Sequence, residues 1–425
     1  MNRKLKYALR GIVGLVVLAA AVIAYNEISG YVRDWYIDAT FERKTALPSS
    51  INPDQVCLTW SDDPKTTQTV QWRASTEVED GWVEWREAGA AETEIKELAA
   101  SRSVLEDKML INDRTIHRFT GVIKELKPAT TYSYRVGSRS KNTWSEWGTF
   151  TTAPEVISDF SFIYLGDPQL GLEYWGKLID KANEQYTASA FYVVAGDLVN
   201  SGSWRNEWDR FFDAGKGVFN DRPIVPVLGN HDYDKKREPR LYLESFAVPE
   251  NGPPSIGVER AYSFTFSNAL FVVLDSNRDL ADQTPWLEAQ LKNSDAKWKF
   301  AVYHHPSYPS APNRINKNSY VRETWGAVFD KYHVDIAFTG HDHAYLRTHP
   351  MYDDQKVASA KEGTYYIVSV SGKKYYEQEP SDYAAVAFAN VSTYQTIDIT
   401  TNPDRLVYRC YDFDGTLRDE FVIEK

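Results

Sequence analysis

From residue 158 onward, short apolar runs alternate with stretches of helical periodicity, and this alternation constrains the fold more than any other feature. The apolar runs are FSFIYL, AFYVVA, PIVPVL, ALFVVL, WKFAVY, VDIAF and TYYIVSV, and the helical stretches are LEYWGKLIDKANEQY, WRNEWDRFF, TPWLEAQL and VRETWGAVFDKY. Nearly continuous apolar strands are typical of a sheet covered on both faces. Strands that alternate with helices predict an α/β domain. The end of the chain, LVYRCYDFDGTLRDEFVIE, predicts a β-hairpin that turns at Asp-Gly.

The segment from 53 to 153 has a different pattern. Its runs QVCLTW, TQTVQWR, DGWVEWRE, HRFTGV and TYSYRVGS are rich in Val, Thr, Trp and Tyr and are separated by turn residues. Only the stretch from Glu92 to Leu105 shows a helical period. We therefore expect a small antiparallel β-sandwich here, with a helix in that stretch as the one exception.

The first residues resemble an export signal. Residues 1–25 combine a basic head with the apolar run GIVGLVVLAAAVIAY, which is shorter than the roughly 20 residues that span a bilayer comfortably. Two alternatives stay open, a cleaved signal peptide or a membrane anchor that attaches the protein through residues 8–25. Residues 26–52 are interpreted as a spacer. Either alternative predicts an exported protein: periplasmic, on the cell surface or secreted.

Charge and cysteine content narrow the possible partners. The chain of 425 residues has 48 basic and 59 acidic residues, a net charge of −11, so no nucleic-acid binding is expected. An acidic protein that handles phosphate needs a local positive potential, which bound metal supplies most easily. Cys57 and Cys410 are compatible with an oxidising compartment, either as a disulfide or as two small buried side chains.

Polar groups stand at the ends of five of the apolar runs. They are Gly166-Asp167-Pro168-Gln169, Gly196-Asp197, Gly229-Asn230-His231-Asp232, His304-His305-Pro306 and Gly340-His341-Asp342-His343, which together contain five of the eight histidines. Ligand sites in α/β sheets lie beyond the carboxyl ends of the strands. Imidazole, carboxylate and amide groups bind borderline metals, and these are too many for one tetrahedral ion. A pair of metal ions that share a bridging carboxylate explains the set better.

Taken in order, GD, GD, GNHD, HHP and GHDH resemble the motifs of the calcineurin-like metallophosphoesterase superfamily. The sandwich segment, with QVCLTW, TVQWR, LKPATTYSYRVG and WSEWGTFTTAP, is similar to the N-terminal domain of purple acid phosphatases, and GHDHAYLRT resembles that family's GHxHAYER stretch. The resemblance covers about residues 53–400. It implies a fibronectin-III-like sandwich over 53–153, followed by a four-layer α/β/β/α metallophosphoesterase domain over 158–425.

The resemblance also assigns roles to the strand-end residues. It implies that Asp167 and His343 bind the first metal and that Asp197 bridges both metals. The second metal would then be bound by Asn230, His304 and His341. His231 matches the family histidine that contacts phosphate, which makes it the candidate acid for the leaving group, with Asp232 orienting it.

The chain departs from the purple acid phosphatase pattern at one ligand. The family has GDxxY, whose tyrosine binds ferric iron and gives the colour, whereas this chain has GDLVN with Asn200 in that place. A ferric-tyrosinate centre is therefore not expected, and two divalent ions, Zn, Mn or Fe(II), are the better prediction. The amide oxygen of Gln169 either completes the first site or belongs to an ordinary loop residue.

The substrate contacts follow less directly. The family's phosphate-gripping histidines between the HxP and GHxH motifs have no match in YPSAPNRINKNSY. His305, Arg314 and Arg322 are the candidates to hold phosphate oxygens instead, and a solvated polar lid is the alternative for the loop.

These features together predict an exported phosphomonoesterase that acts on a phosphorylated small molecule. A metal-bound hydroxide would attack phosphorus in line while His231 assists the leaving group. Two alternatives remain: a phosphodiesterase that uses the same metals, or a non-catalytic surface adhesion or binding protein.

Overall fold

The computed structural model describes residues 40–234, 238–312, 314 and 319–425. The predicted signal or anchor in residues 1–25, and the spacer as far as residue 39, lie outside the described residues. None of the helices that the structure describes combines the length and the apolar composition needed to cross a membrane.

Nine strands form the predicted antiparallel sandwich. They are β1 (Asp54–Thr59), β2 (Gln68–Ser75), β3 (Trp82–Glu87), β4 (Lys96–Ala99), β5 (Ser101–Glu106), β6 (Thr115–Ile123), β7 (Thr131–Ser138), β8 (Thr143–Trp144) and β9 (Gly148–Thr151). One sheet has the order β1-β2-β6-β5, and the other has the order β4-β3-β7-β8, with β9 paired to β7. Side chains such as Trp72, Val83 and Phe119 fill the core of the sandwich.

The expected helix from Glu92 to Leu105 is wrong. The structure has a single 3-10 turn, Glu92–Glu94, followed by β4 and β5. The strand β5 pairs with β6 along its whole length, from Ser101 opposite Thr120 to Glu106 opposite Thr115. Pairing with a long neighbouring strand outweighs a weak local helical pattern, because helix propensity is only a small term per residue.

The remainder of the described chain contains five helices and fifteen strands. The helices are α1 (Leu172–Gln185), α2 (Arg205–Ala214), α3 (Arg240–Ser245), α4 (Leu280–Lys292) and α5 (Ser319–Tyr332), and there is a 3-10 turn at Pro254–Ile256. The strands are β10 (Phe160–Leu165), β11 (Ser189–Val194), β12 (Ile224–Pro226), β13 (Tyr262–Phe266), β14 (Ala269–Val273), β15 (Trp298–Val302), β16 (Ile336–Thr339), β17 (Tyr345–Thr348), β18 (Met351–Tyr352), β19 (Gln355–Lys356), β20 (Tyr365–Val368), β21 (Ala384–Phe388), β22 (Thr393–Thr401), β23 (Asp404–Asp412) and β24 (Leu417–Glu424).

Two mixed sheets form the centre of this part. Their strand orders are β12-β11-β10-β22-β23-β24 and β13-β14-β15-β16-β20-β17-β21. The parallel strands are β10 with β11 and β12 in the first sheet, and β14 with β15, β16 and β20 in the second. The predicted Asp-Gly hairpin is present between β23 and β24, with Gly415 at φ 85°.

The two sheets pack face to face and helices cover their outer faces. Phe162 of the first sheet has its ring centroid 5.2 Å from Phe271 and 5.7 Å from Phe300 of the second. On β14 the alternate residues Leu270 and Val272 pack instead into the cluster formed with α4 and α5. Helices α1 and α2 pack on the first sheet. The predicted four-layer α/β/β/α arrangement after a β-sandwich is confirmed.

A buried ion pair joins the sandwich to the layered part. The Arg73 guanidinium of β2 lies 2.7 Å from the Asp209 carboxylate of α2 and 2.6 Å from that of Asp54. Cys57 of β1 and Cys410 of β23 are both buried and free, so they act as small packing side chains.

Candidate metal centre

The strand-end residues meet at one edge of the two central sheets. Each follows, or in one case precedes, a central strand: Asp167 follows β10, Asp197 follows β11, Asn230 follows β12, His304 follows β15, His341 follows β16 and His343 precedes β17. Because the preceding strands are parallel within each sheet, their carboxyl ends lie on the same side.

Two groups of side chains are close enough to hold a metal ion each. The ligand atoms of Asp197, His304 and His341 lie within 4.8 Å of one another, and so do those of Asp167, Asp197 and His343. Asp197 is common to both groups. This is the arrangement in which one carboxylate can bridge two ions.

In the first of these groups, His304 lies at the centre of the donors. Its Nε2 is 3.2 Å from Asp197 Oδ2, 3.2 Å from Asn230 Oδ1 and 3.1 Å from His341 Nδ1. Its Nδ1 donates a hydrogen bond to the Ala195 carbonyl at 3.0 Å, since a carbonyl only accepts. Nε2 therefore points toward the other candidate ligands, and it can offer its lone pair to a metal ion once its proton is lost.

The second group contains buried atoms that lack partners. His343 donates from Nδ1 to the Lys374 carbonyl at 2.9 Å, which leaves Nε2 at 3.6 Å from Asp167 Oδ1. The Gln169 Nε2 lies 2.9 Å from His343 Nε2 and 3.2 Å from Asp197 Oδ2. Asp167 Oδ1 and Gln169 Oε1 are buried without a hydrogen-bond partner. Buried oxygens are rarely left unsatisfied, and a cation here would satisfy both once the Gln169 amide turns its oxygen inward.

The backbone at these residues is strained. Asp167, Asp197, His341 and His343 have φ values of 44°, 51°, 71° and 46°, in the left-handed region. That region costs about 1–2 kcal/mol for a residue with a side chain. Strain of this kind persists where the surroundings impose it, typically at functional sites. The turns direct the four side chains toward one another.

Two glycines let the carboxylates approach. A Cβ on Gly340 would lie 2.3 Å from Asp167 Oδ2, and a Cβ on Gly229 would lie 2.2 Å from Asp197 Oδ1. Neither distance is possible for a real side chain, so glycine is required at both positions for the observed geometry.

Burial and neighbouring charges raise the pKa values of some candidate ligands and lower those of others. Burial opposes the charged form of His304, but the Asp197 carboxylate outweighs it and raises the pKa of His304 to about 9. Burial would likewise raise the pKa of Asp197, yet the His304 imidazole lowers it below its usual range. Burial raises the pKa of Asp167 well above its usual range. Burial, followed by the Lys374 charge, lowers the pKa of His343 to about 4. Metal ions bound at the site would displace the protons that the raised pKa values place on His304 and Asp167.

His231 lies beside the shared carboxylate. Its backbone N–H donates to Asp197 Oδ1 at 2.8 Å. Its ring Nδ1 donates to the Asn200 carbonyl at 2.7 Å. The other ring nitrogen, Nε2, is then the atom available to a substrate.

The expectation that Asp232 orients His231 is not supported. Asp232 Oδ1 accepts hydrogen bonds from the backbone N–H groups of Leu198 and Val199, at 2.8 and 3.2 Å, and Oδ2 accepts from Gly229 at 2.8 Å. The buried carboxylate is occupied by these three donors, so it fixes the turn after Asp197 rather than the imidazole.

Two of the three candidate substrate contacts lie at the centre. The ring of His305 is 4.3 Å from that of His341, and its Nδ1 is hydrogen-bonded to Ser276 Oγ at 2.9 Å. Arg314 Nη1 donates to the His341 carbonyl at 2.8 Å and to Asp342 Oδ1 at 2.9 Å.

Arg322 does not join them. Its Nε forms an ion pair with Asp354 at 3.0 Å, and its guanidinium lies 5.0 Å from the Tyr308 ring centroid. Because α5 begins at Ser319, Arg322 is placed on that helix and its charge is already paired. The prediction that Arg322 contacts substrate is therefore wrong, because its guanidinium already binds Asp354 and lies on the Tyr308 ring.

Several residues support the candidate ligands but were not predicted from the sequence. Asp342 Oδ2 accepts the backbone N–H groups of Ser310 and Ala311, which ties the loop after β15 to the GHDH turn. The acidic residue between two histidines was a signal that could have suggested this. The carbonyls of Ala195 and Lys374, which hold the metal-site imidazoles, have no sequence signal at all.

Two family models match the chain, and several known proteins are similar to it in sequence or in fold. The model of the calcineurin-like phosphoesterase family matches residues 160–345, and that of the purple acid phosphatase N-terminal domain matches residues 53–152. Probable purple acid phosphatase 20 of Arabidopsis thaliana is 27% identical over 361 residues, 80% of this chain and 78% of the relative. An uncharacterized protein of Mycobacterium tuberculosis is 27% identical over 293 residues, 60% of this chain but only 54% of its own length. The structure of purple acid phosphatase PPD1 from yellow lupin (Lupinus luteus) has a TM-score of 0.74 at 19% identity, over 88% of this chain and 74% of that one, and so shares the fold.

Proposed function

We propose that this chain, a calcineurin-like metallophosphoesterase homologous to the purple acid phosphatases, is an exported phosphomonoesterase. The chain is a metal-dependent phosphoester hydrolase of a family with a dinuclear metal centre, and the proposal concerns its substrate and its location. The observation that best supports a dinuclear hydrolytic centre is the sharing of Asp197 between two ligand groups, with unsatisfied buried oxygens on Asp167 and Gln169.

The donor set fits two divalent cations such as Zn, Mn or Fe(II). Asp167, His343 and Gln169 would hold one ion, Asn230, His304 and His341 would hold the other, and Asp197 would hold both. When bound, such ions polarise phosphoryl oxygens and lower the pKa of water at the site. A tyrosine ligand is absent from our proposal because Asn200 occupies its place in GDLVN.

His231 would act on the leaving group. Its Nδ1–H is committed to the Asn200 carbonyl, so a protonated ring presents its second proton on Nε2. That proton passes to the leaving oxygen as the P–O bond breaks, which prevents the release of a bare alkoxide.

Arg314 and His305 would orient the phosphoryl group. Arg314 uses Nη1 for internal hydrogen bonds, and its planar guanidinium has further N–H donors that suit phosphate oxygens. Ser276 Oγ accepts the His305 backbone N–H at 2.9 Å, and we propose that its own proton is donated to the Nδ1 of His305. Its Nε2 then carries the ring proton and can donate to an oxygen of the substrate.

Export and the domain limits also belong to the proposal. The basic head and the apolar run within residues 1–25 support export, and the two domains are proposed to span 53–153 and 158–425. Cell fractionation with mass spectrometry of the N-terminus tests the first point. A full-length protein in the cytoplasm would contradict export, whereas either a cleaved exported form or a membrane-bound one would agree with it.

The activity is tested with a nitrophenyl phosphate monoester and the corresponding bis-ester. We expect the full chain, loaded with Mn, Zn or Fe, to hydrolyse the monoester faster, and Asp197→Ala to abolish the rate. Asp159→Ala is a matched control, because Asp159 lies just before the start of β10, whereas the candidate ligand Asp167 lies just after the end of that strand. Faster hydrolysis of the bis-ester would indicate a phosphodiesterase. A protein that binds no metal and hydrolyses neither ester would favour the alternative of a non-catalytic adhesion or binding protein.

A further inference from the structure

The carboxylate of Glu207 holds the loop that precedes α2. Its Oε2 accepts hydrogen bonds from the backbone N–H groups of Asn200 at 2.8 Å and Ser201 at 2.9 Å. Glu207 lies in the first turn of the helix and is itself half-buried. The helix thus fixes the backbone of the segment that follows the bridging aspartate.

The Ser201 bond determines where the Asn200 carbonyl points. The C=O of Asn200 and the N–H of Ser201 belong to one planar trans peptide, so they point in opposite directions. With the N–H held by Glu207, the carbonyl is directed at His231, whose Nδ1 lies 2.7 Å away. A second tether, from Gly202 N–H to the His231 carbonyl at 2.7 Å, joins the same loop to the histidine backbone.

The position and the tautomer of the His231 ring therefore depend on one peptide group. A carbonyl can only accept, so Nδ1 carries a proton and Nε2 is the atom that exchanges a proton with substrate. Asp232 cannot take over this task, because its oxygens accept three other backbone N–H groups.

We propose that Glu207 is a positioning residue for proton delivery to the leaving group, and that it makes the enzyme competent on esters of poorly leaving alcohols. The proposal rests on the proposed function, in which His231 is the acid. In that step water adds to phosphorus, and its protons stay on the phosphate product, while the electron pair of the P–O bond goes to the leaving oxygen. That oxygen takes the proton from Nε2, which leaves a neutral imidazole with Nδ1–H and a free alcohol.

The test compares two phosphate monoesters in the metal-loaded full chain. Nitrophenolate leaves without help, whereas a simple alkyl ester needs a proton, so the ratio of the two rates reports on the acid. We expect Glu207→Ala to lower alkyl phosphate turnover about 10- to 100-fold and nitrophenyl phosphate turnover less than about threefold. His231→Ala should shift the ratio in the same direction.

Two conservative variants and one control complete the design. Glu207→Gln should restore the wild-type ratio, because an amide oxygen accepts the same two N–H bonds. Glu207→Asp withdraws the oxygen by one methylene and should give a smaller shift, which keeps the test open if Glu207→Ala does not fold. Asp159→Ala is the control: Asp159 Oδ1 also accepts two hydrogen bonds, from the Thr401 N–H and hydroxyl, and its loss should leave the ratio unchanged.

The outcomes separate this inference from the function on which it rests. Equal losses on both esters in Glu207→Ala and Glu207→Asp, with a shifted ratio in His231→Ala, would overturn the inference alone. A wild-type protein that hydrolyses neither ester, or an unshifted ratio in His231→Ala, would overturn the assigned function, and the inference with it.

Discussion

Replacing Gly340 by alanine should remove one metal ion while leaving the fold intact. The new Cβ would lie 2.3 Å from Asp167 Oδ2 and 2.9 Å from the Ala195 carbonyl. Ordinary contacts need about 3.5 Å, so the carboxylate must withdraw by about 1 Å. The same oxygen accepts the His341 N–H at 2.6 Å, and this bond is lost in the movement.

The size of the effect follows from the tolerance of a metal site. Ligand distances vary by only about 0.2 Å around their ideal values, so a displacement of about 1 Å removes Asp167 as a ligand. Overpacking of this kind costs about 1–3 kcal/mol in stability, which a protein of this size can bear. After dialysis, mass spectrometry of the metals should find about one ion per chain in place of two, and phosphomonoester hydrolysis should fall with it.

A second glycine provides the control. Gly326 lies in α5, where a Cβ would meet only Arg322 Cγ at 3.6 Å. Gly326→Ala should keep both ions and gain about 0.5–1 kcal/mol from helix propensity. If Gly340→Ala retains two ions and wild-type turnover, the assignment of Asp167 to a metal is refuted.

Three further predictions concern two buried ion pairs and the colour of the iron-loaded protein. Arg73→Ala should lower the free energy of unfolding in urea by about 3–5 kcal/mol, because Asp209 is left buried without its cation; an unchanged midpoint would contradict this. Burial would raise the pKa of Asp113, but hydrogen bonds from Ser49 and the Arg205 guanidinium lower it below its ordinary value of 3.8. Its stabilising effect is present above about pH 4 and is lost as the pH falls through the lowered pKa, so the stability difference between wild type and Asp113→Asn should shrink in acid. Iron-loaded protein should show no visible charge-transfer band, since no tyrosine occupies the GDxxY position; a purple product would contradict that.

The layered fold was predictable because its signals are local. Apolar runs such as that of β14 alternate between two cores, and helical periods separate them, so element type follows from neighbouring residues. The helix expected from Glu92 to Leu105 is wrong because β5 is stabilised by pairing with β6, the next strand along the chain, and a local helical pattern carries no information about that pairing.

The candidate ligands were predictable for a similar reason. The groups that hold the site residues in position by hydrogen bonds were not predictable. Glycine, aspartate and histidine directly after an apolar run can be recognised in the sequence. The carbonyl of Asn200 and the carboxylate of Glu207 act through backbone contacts that only the folded chain creates. Arg314 and Arg322 look alike in the sequence, but the start of α5 separates their surroundings.

The plainest test of the shared-carboxylate centre is to count divalent metal ions per chain in the wild type and in Asp197→Ala. We expect two ions in the wild type and a loss of both tightly held ions, with all phosphomonoester hydrolysis, in the variant. Two tightly held ions and full turnover in Asp197→Ala would contradict a centre built on this residue.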